Sequence, residues 1–204
     1  MKKEMTIFYE VHNGLYVNIT NKCPCACTFC LRQTMDTVGN SGRLWLDHEP
    51  SIAEIEAALA KIDLSKYTEI VFCGFGEPTE RLDVLCRVAR LIKEKCNAPI
   101  RINTNGLGNL VNKRSIAGEF KGLIDSISIS LNTPNPDDYF KLVRPKFGRE
   151  SFDEMLKFAK ECTNFIPNVI LTTVATTISE DEEAECLKIC EKLGVKYRIR
   201  PWED

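Results

Sequence analysis

Four cysteines stand within positions 23–30 of the stretch NKCPCACTFCLRQ, residues 21–33. Cys23, Cys27 and Cys30 are spaced C-x3-C-x2-C, and Cys25 is the extra one. Thiols at such density are paired as disulfides, or they hold zinc or an iron–sulfur cluster. A disulfide framework belongs to secreted chains. Here the N-terminal stretch MKKEMTIFYE has no apolar signal-peptide core. Zinc needs a fourth ligand at a workable spacing. Cys25 is too close to Cys23 and Cys27 to fit easily with both, and His12 and His48 are the only histidines. Iron–sulfur clusters are usually held by four thiolates. Three would leave one iron open to a substrate or cofactor, by the logic that separates catalytic from structural zinc sites.

Other short stretches join polar groups to conformational freedom. In GFGEP (74–78), Gly74 and Gly76 free the backbone near a ligand, Glu77 can accept hydrogen bonds, and Pro78 stiffens the turn. The plain alternative is an ordinary strand-end turn. Asn103 and Asn105 share one face of an extended segment, as do Ser130 and Asn132. Their plain role is capping of the turns that follow. Arg144, in LVRP, is able to pair with a carboxylate or to stay solvated on the surface. Cys73, Cys86, Cys96, Cys162, Cys186 and Cys190 read as core thiols.

The elements that must position these groups follow from hydrophobic period. Apolar alternation and β-branched runs mark six strands: 15–20, 69–74, 100–105, 126–132, 168–176 and 196–202. Helical spacing falls between most of them, with Ile52, Ile55, Leu59 and Ile62 on one face and Leu82, Leu85, Ala89 and Ile92 on another. Ser51 with Glu54, Ser151 with Glu154, and Ser179 with Glu182 read as capping boxes. Asn135-Pro136 opens a further helix, Gly194 stops the last, and 109–122 is a weaker helical stretch. Strands alternating with helices imply right-handed βαβ units and a parallel sheet. Six units do not close an eightfold barrel, so the expectation is an open, partial (β/α)6 barrel formed by one domain, residues 1–204. A flat doubly wound sheet is the alternative. In either, chemistry gathers at the carboxyl ends of the strands. Lys plus Arg (27) nearly cancels Asp plus Glu (29), and the net charge of -2 gives no general attraction to nucleic acid or anionic membrane. Arg144, Lys146 and Arg149 remain a local basic patch. No apolar run reaches the length of a membrane span, and the expected location is the cytoplasm.

The motif C-x3-C-x-aromatic-C, with Phe29 before the last cysteine, resembles the signature of radical S-adenosylmethionine (SAM) enzymes. GFGEP stands where that family carries its Gly-Gly-Glu-Pro motif, with Phe75 in place of the first glycine. NTNG (103–106) ends the third strand, and SISLN (128–132) ends the fourth, at the position of the ribose-contacting residues. The resemblance implies a [4Fe–4S] cluster on Cys23, Cys27 and Cys30 and SAM on the open iron. Phe29, Gly74, Gly76, Glu77, Asn103, Asn105, Ser130, Asn132 and Arg144 would surround the cofactor, with apolar groups of Thr172–Val174 near adenine. It further implies hydrogen abstraction by a 5′-deoxyadenosyl radical and an external electron donor such as flavodoxin or ferredoxin. Cys25 is then a bystander or faces away. YVNITNKC and SISLNTPNPDDY look like the small TatD-associated radical SAM proteins. Glycyl-radical activation and RNA modification are the runner-up activities, and a non-catalytic iron–sulfur electron carrier is the reading of another class. An open side of the barrel would be closed by a protein or other large substrate.

Overall fold

The computed structural model describes residues 5–202. One seven-stranded sheet runs in chain order: β1 (Phe8–Val11), β2 (Gly14–Val17), β3 (Glu69–Phe72), β4 (Ile100–Thr104), β5 (Ser126–Ser130), β6 (Asn168–Val174) and β7 (Lys196–Arg200). From β2 onward every pairing is parallel, whereas β1 and β2 form an antiparallel hairpin. All six expected strands are present, each ending short of its expected C-terminal bound. The seventh, β1, is the correction. Its hairpin turns at His12-Asn13, with Val11 paired to Gly14 and His12 at φ 51°, the left-handed backbone that tight hairpins use. β1 and β7 are not paired to each other, so the sheet is an open partial barrel.

The helices between the strands are α1 (Ile52–Leu59), α2 (Leu82–Lys95), α3 (Gly108–Asn112), α4 (Pro136–Val143), α5 (Ser151–Cys162) and α6 (Glu180–Leu193). Ser51 and Ser179 form the expected capping boxes, and Asn135 caps α4 by accepting from the amides of Asp137 and Asp138. Ser151 does not cap α5. It is the first helical residue, and its buried hydroxyl has no partner. The 109–122 stretch is broken at Lys113, whose φ of 54° separates α3 from a 3-10 turn at Ala117–Phe120.

Parallel strands covered by helices on both faces read as continuous apolar runs. β3 reads that way, but the central β4 and β5 alternate in sequence. Ile100, Ile102, Ile127, Ile129 and Leu171 are buried in the core on one face. Arg101, Asn103, Ser126, Ser128 and Ser130 occupy the other, with Arg101 opposite Ser126 and Asn103 opposite Ser128. The helices supply the rest of the core: Leu85, Ala89 and Ile92 of α2 and Met155, Phe158 and Cys162 of α5 are fully buried. Each large apolar side chain so placed contributes about 1.5–3 kcal/mol. The uncovered, polar face of the sheet is what the site is built on.

Candidate active site

A cavity of about 450 Å³ lies against that face, within the usual size range of small-molecule and cofactor sites. Its walls include Cys23, Cys25, Cys27, Phe29 and Cys30 on one side. The loop that carries them leaves β2 and is held from two directions. α4 and the segment after it grip the loop through backbone bonds, Ala26 N to Val143 O at 3.1 Å, Thr28 N to Leu142 O at 2.9 Å and Lys146 N to Pro24 O at 2.9 Å. The 74–78 turn grips it through Glu77 N to Lys22 O at 2.8 Å. At that crossing only glycine fits. A Cβ on Gly76 would stand 2.7 Å from the carbonyl carbon of Thr20 and 2.8 Å from the carbonyl oxygen of Lys22. Gly74 is similarly pressed, since its Cβ would lie 2.7 Å from Asn18 Cγ.

The thiols are electrostatically unequal. Hydrogen bonds from the Cys25 thiol hold the Cys23 and Cys27 thiols below the ordinary cysteine value. Those same bonds, with burial, push Cys25 far up. Cys25 does not face away: it is buried and lines the cavity between the two flanking thiols. Cys30 is raised by burial. Arg32 is the cation that acts on Cys23, Cys27 and Cys30, and its guanidinium donates to Cys25 O at 2.9 Å. Among the described residues no three His, Cys, Asp or Glu side chains converge as ligands of a single ion do. A polynuclear cluster takes its thiolates farther apart. Four thiols on one cavity wall, two of them with lowered pKa, suit such a group in donor chemistry.

Opposite the thiols, Glu77 is buried and lines the cavity. Its Oε1 accepts from Thr79 N at 3.1 Å, Thr79 Oγ1 at 2.8 Å and Thr104 Oγ1 at 2.7 Å, and its Oε2 accepts from Asn105 N at 2.8 Å. The carboxylate thus ties the 74–78 turn to the end of β4, and Oε2 keeps one accepting position. Burial raises its pKa, and these four bonds oppose the rise. Asn105 combines both expected roles: its Oδ1 caps the next turn through Leu107 N at 2.9 Å, and its Nδ2 lies 3.9 Å from Cys23 Sγ. Asn132 is 3% exposed, sits at φ 65°, and holds a buried Oδ1 without a partner on the cavity wall. A buried carbonyl oxygen left unpaired costs about 1–3 kcal/mol, so it marks a place where a ligand donor fits. Ser130, Asn103 and Val174 also line the cavity, but Thr172 and Thr173 do not.

Arg144 departs from expectation. It ends α4 at φ 49° and borders a separate shallow depression with Phe140, Lys141 and Pro145. It is not among the residues that line the main cavity. Cys73, read as core, does line the cavity, whereas Cys86, Cys162, Cys186 and Cys190 are buried among core residues. Sequence reasoning passed over Tyr16, Arg101, Arg198 and Arg200, which complete the lining on the polar sheet face. The signal was present in KYRIR: two arginines at i and i+2 share one strand face.

Glu77→Gln tests the double use of this carboxylate. An amide cannot accept at every position Glu77 now serves, so one of its protein partners loses a bond or the free position is filled. The variant is expected to lose about 1–3 kcal/mol of stability. Its affinity for SAM, read by equilibrium dialysis on cluster-loaded protein, is expected to fall roughly ten- to a hundredfold. Unchanged SAM affinity in the loaded variant would remove Glu77 from the ligand's surroundings.

Among known proteins, the chain is 27% identical over 189 residues to a probable GTP 3′,8-cyclase of Methanocaldococcus jannaschii, covering 91% of this chain and 57% of that one. It is 32% identical over 144 residues to the GTP 3′,8-cyclase of Corynebacterium glutamicum, covering 67% of this chain and 35% of that one. The chain therefore spans about a third to somewhat over half the length of these relatives. Among solved structures it resembles SuiB of Streptococcus suis bound to the precursor peptide SuiA, with a TM-score of 0.67, 18% identity and coverage of 94% of this chain and 39% of that one. It also resembles the hydrogenase maturase HydG of Carboxydothermus hydrogenoformans, with a TM-score of 0.65, 16% identity and coverage of 94% and 44%. These likenesses establish the fold as the partial barrel expected from the sequence. Enzymes of the superfamily use a [4Fe–4S] cluster and SAM and need an electron donor, and the thiol loop, the glycine crossing and the unpaired Asn132 oxygen fit such a pair. The Radical SAM superfamily matches residues 17–193, and this chain belongs to it.

Proposed function

We propose that Cys23, Cys27 and Cys30 hold the cluster, that SAM occupies the cavity beside it, and that the pair starts hydrogen abstraction from a substrate in the remaining space. The observation that supports this reading most is the convergence on one cavity of the thiols, Gly74, Gly76, Glu77, Asn105, Ser130 and Asn132. When bound, the cluster supplies an electron that cleaves SAM and yields a 5′-deoxyadenosyl radical. The protein's own residues orient and shield. Glu77 Oε2 accepts from the SAM amino group at its free position. Asn132 Oδ1 and Ser130 receive the ribose hydroxyls or neighbouring donors, the backbone at Gly74 and Gly76 admits close approach, and Phe29 and Val174 flank the ligand with apolar surface. Leu44 and Phe75 close the rim from outside, with Trp45 edge-on to Phe75 at 5.2 Å between centroids. Such a rim limits water around a reactive intermediate. The electron comes from an external carrier of the flavodoxin or ferredoxin kind. Kinship with the TatD-associated group belongs to this proposal.

A second reading of the substrate, a purine nucleotide, draws on the identity to proteins named GTP 3′,8-cyclase. Incubating the loaded enzyme with GTP, reductant and SAM and searching for a GTP-derived product decides it. For the main reading, the protein is reconstituted anaerobically and reduced, and its electron paramagnetic resonance spectrum is recorded with and without SAM. A change of the cluster signal on adding SAM is expected. A spectrum indifferent to saturating SAM would favour the electron-carrier alternative.

A further inference from the structure

We propose that Arg198 and Arg200 bind an anionic group of the substrate, a phosphate or a carboxylate, at the end of the cavity away from the thiols; this rests on the reading of the cavity as a radical SAM site. Both arginines lie on the cavity side of β7 and line the cavity. Arg198 stands opposite Thr172 in the sheet, and its Nη2 reaches Ser128 Oγ at 3.4 Å. Arg200 has a buried Nε without an acceptor. Among the described residues neither arginine has a carboxylate within salt-bridge distance, whereas Arg101 on the same face is held bidentately by Glu69, at 2.7 and 3.0 Å.

Glu77 is the one acidic residue of the cavity lining, against Arg32, Arg101, Arg198 and Arg200. Its hydrogen bonds go to Thr79, Thr104 and Asn105, and it makes no salt bridge to either arginine among the described residues. Arg198 and Arg200 are not among the leading charges on Cys23, Cys27 and Cys30, although Arg200 acts on the Cys73 thiol. Arg32 is the cation that acts on Cys23, Cys27 and Cys30, while burial lowers the pKa of Arg198, with Arg101 and Arg200 adding to the fall and the Glu69 carboxylate, already paired to Arg101, opposing it. Holding like charges together in a partly buried wall is unfavourable unless an anion joins them. Guanidinium groups offer paired donors that match the oxygens of phosphate or carboxylate. The hydroxyl of Ser130, on β5 two strands away, also lines the cavity and adds a neutral donor.

The test is calorimetric titration of anaerobically reconstituted, SAM-loaded protein with pyrophosphate in one arm and citrate in the other, at constant ionic strength set with sodium chloride. At least one anion is expected to bind, and the arm that responds names the phosphate or carboxylate class. Arg198→Gln combined with Arg200→Gln is expected to weaken that binding tenfold or more. Glu69→Gln, which frees Arg101, is expected to tighten it, a gain that misfolding does not produce. Failure of both anions to bind, or equal affinity in wild type and the double variant, would overturn the proposal. The readout is independent of radical chemistry. A protein that binds the anion but never cleaves SAM defeats the functional reading alone, and one that cleaves SAM but ignores both anions defeats this proposal alone.

Discussion

Alanine at Cys23, Cys27 or Cys30 is expected to remove most of the iron from the reconstituted protein and to abolish SAM cleavage, while Cys25→Ala keeps both. All four thiols line the cavity, and the proposed ligand set is Cys23, Cys27 and Cys30. Metal binding needs thiolates, and hydrogen bonds to Cys23 and Cys27, with burial, push the Cys25 thiol up. Its loss leaves a small buried gap, worth about 1 kcal/mol on the scale of a deleted methyl-sized group. Iron content, sulfide content and the visible spectrum of the four variants check this. Loss of the cluster in Cys25→Ala with retention in Cys23→Ala would assign the wrong register to the ligands.

Gly76→Ala is expected to be the most damaging substitution outside the cysteines. The added Cβ meets backbone atoms of Thr20 and Lys22, which cannot rotate aside as a side chain does. Overpacking of this kind costs about 1–3 kcal/mol, and more where backbone must move. For a chain of this size that lowers the melting temperature by roughly 2–12 °C. The displaced segment leads directly into Cys23, so iron loading falls with stability. Gly118→Ala is the control. Its Cβ would meet only Phe165 ring atoms at 3.7 and 3.9 Å, and the measured melting temperature should barely change. Equal behaviour of the two variants would mean that the crossing at Gly76 does not hold the cysteine loop.

Much of the fold was legible because period and capping are local. SISIS alternates visibly, and the structure puts Ile127 and Ile129 in the core with Ser126 and Ser130 on the open face. Two of the three capping boxes formed as read. The third failed because the helix began one residue early, leaving Ser151 inside the first turn. β1 was missed although IFYEV precedes a His-Asn-Gly turn, since the two-residue turn chemistry was not weighed. The cysteine, glycine and asparagine positions that line the cavity were readable from motifs at strand ends together with the family resemblance. Arg198 and Arg200 were not, because assigning a strand face to the cavity requires knowing which side the helices cover. Arg144 failed for a related reason: it ends α4 outside the cavity lining, and no spacing rule reports that.

The central claim is that the thiol loop and the 74–78 turn together make a SAM-cleaving site. The direct measurement is 5′-deoxyadenosine, quantified by mass spectrometry after anaerobic incubation of the reconstituted protein with dithionite and SAM. The account predicts 5′-deoxyadenosine that depends on reductant and iron and is absent from the Cys27→Ala variant. A fully loaded, reduced cluster that yields none with saturating SAM would contradict it.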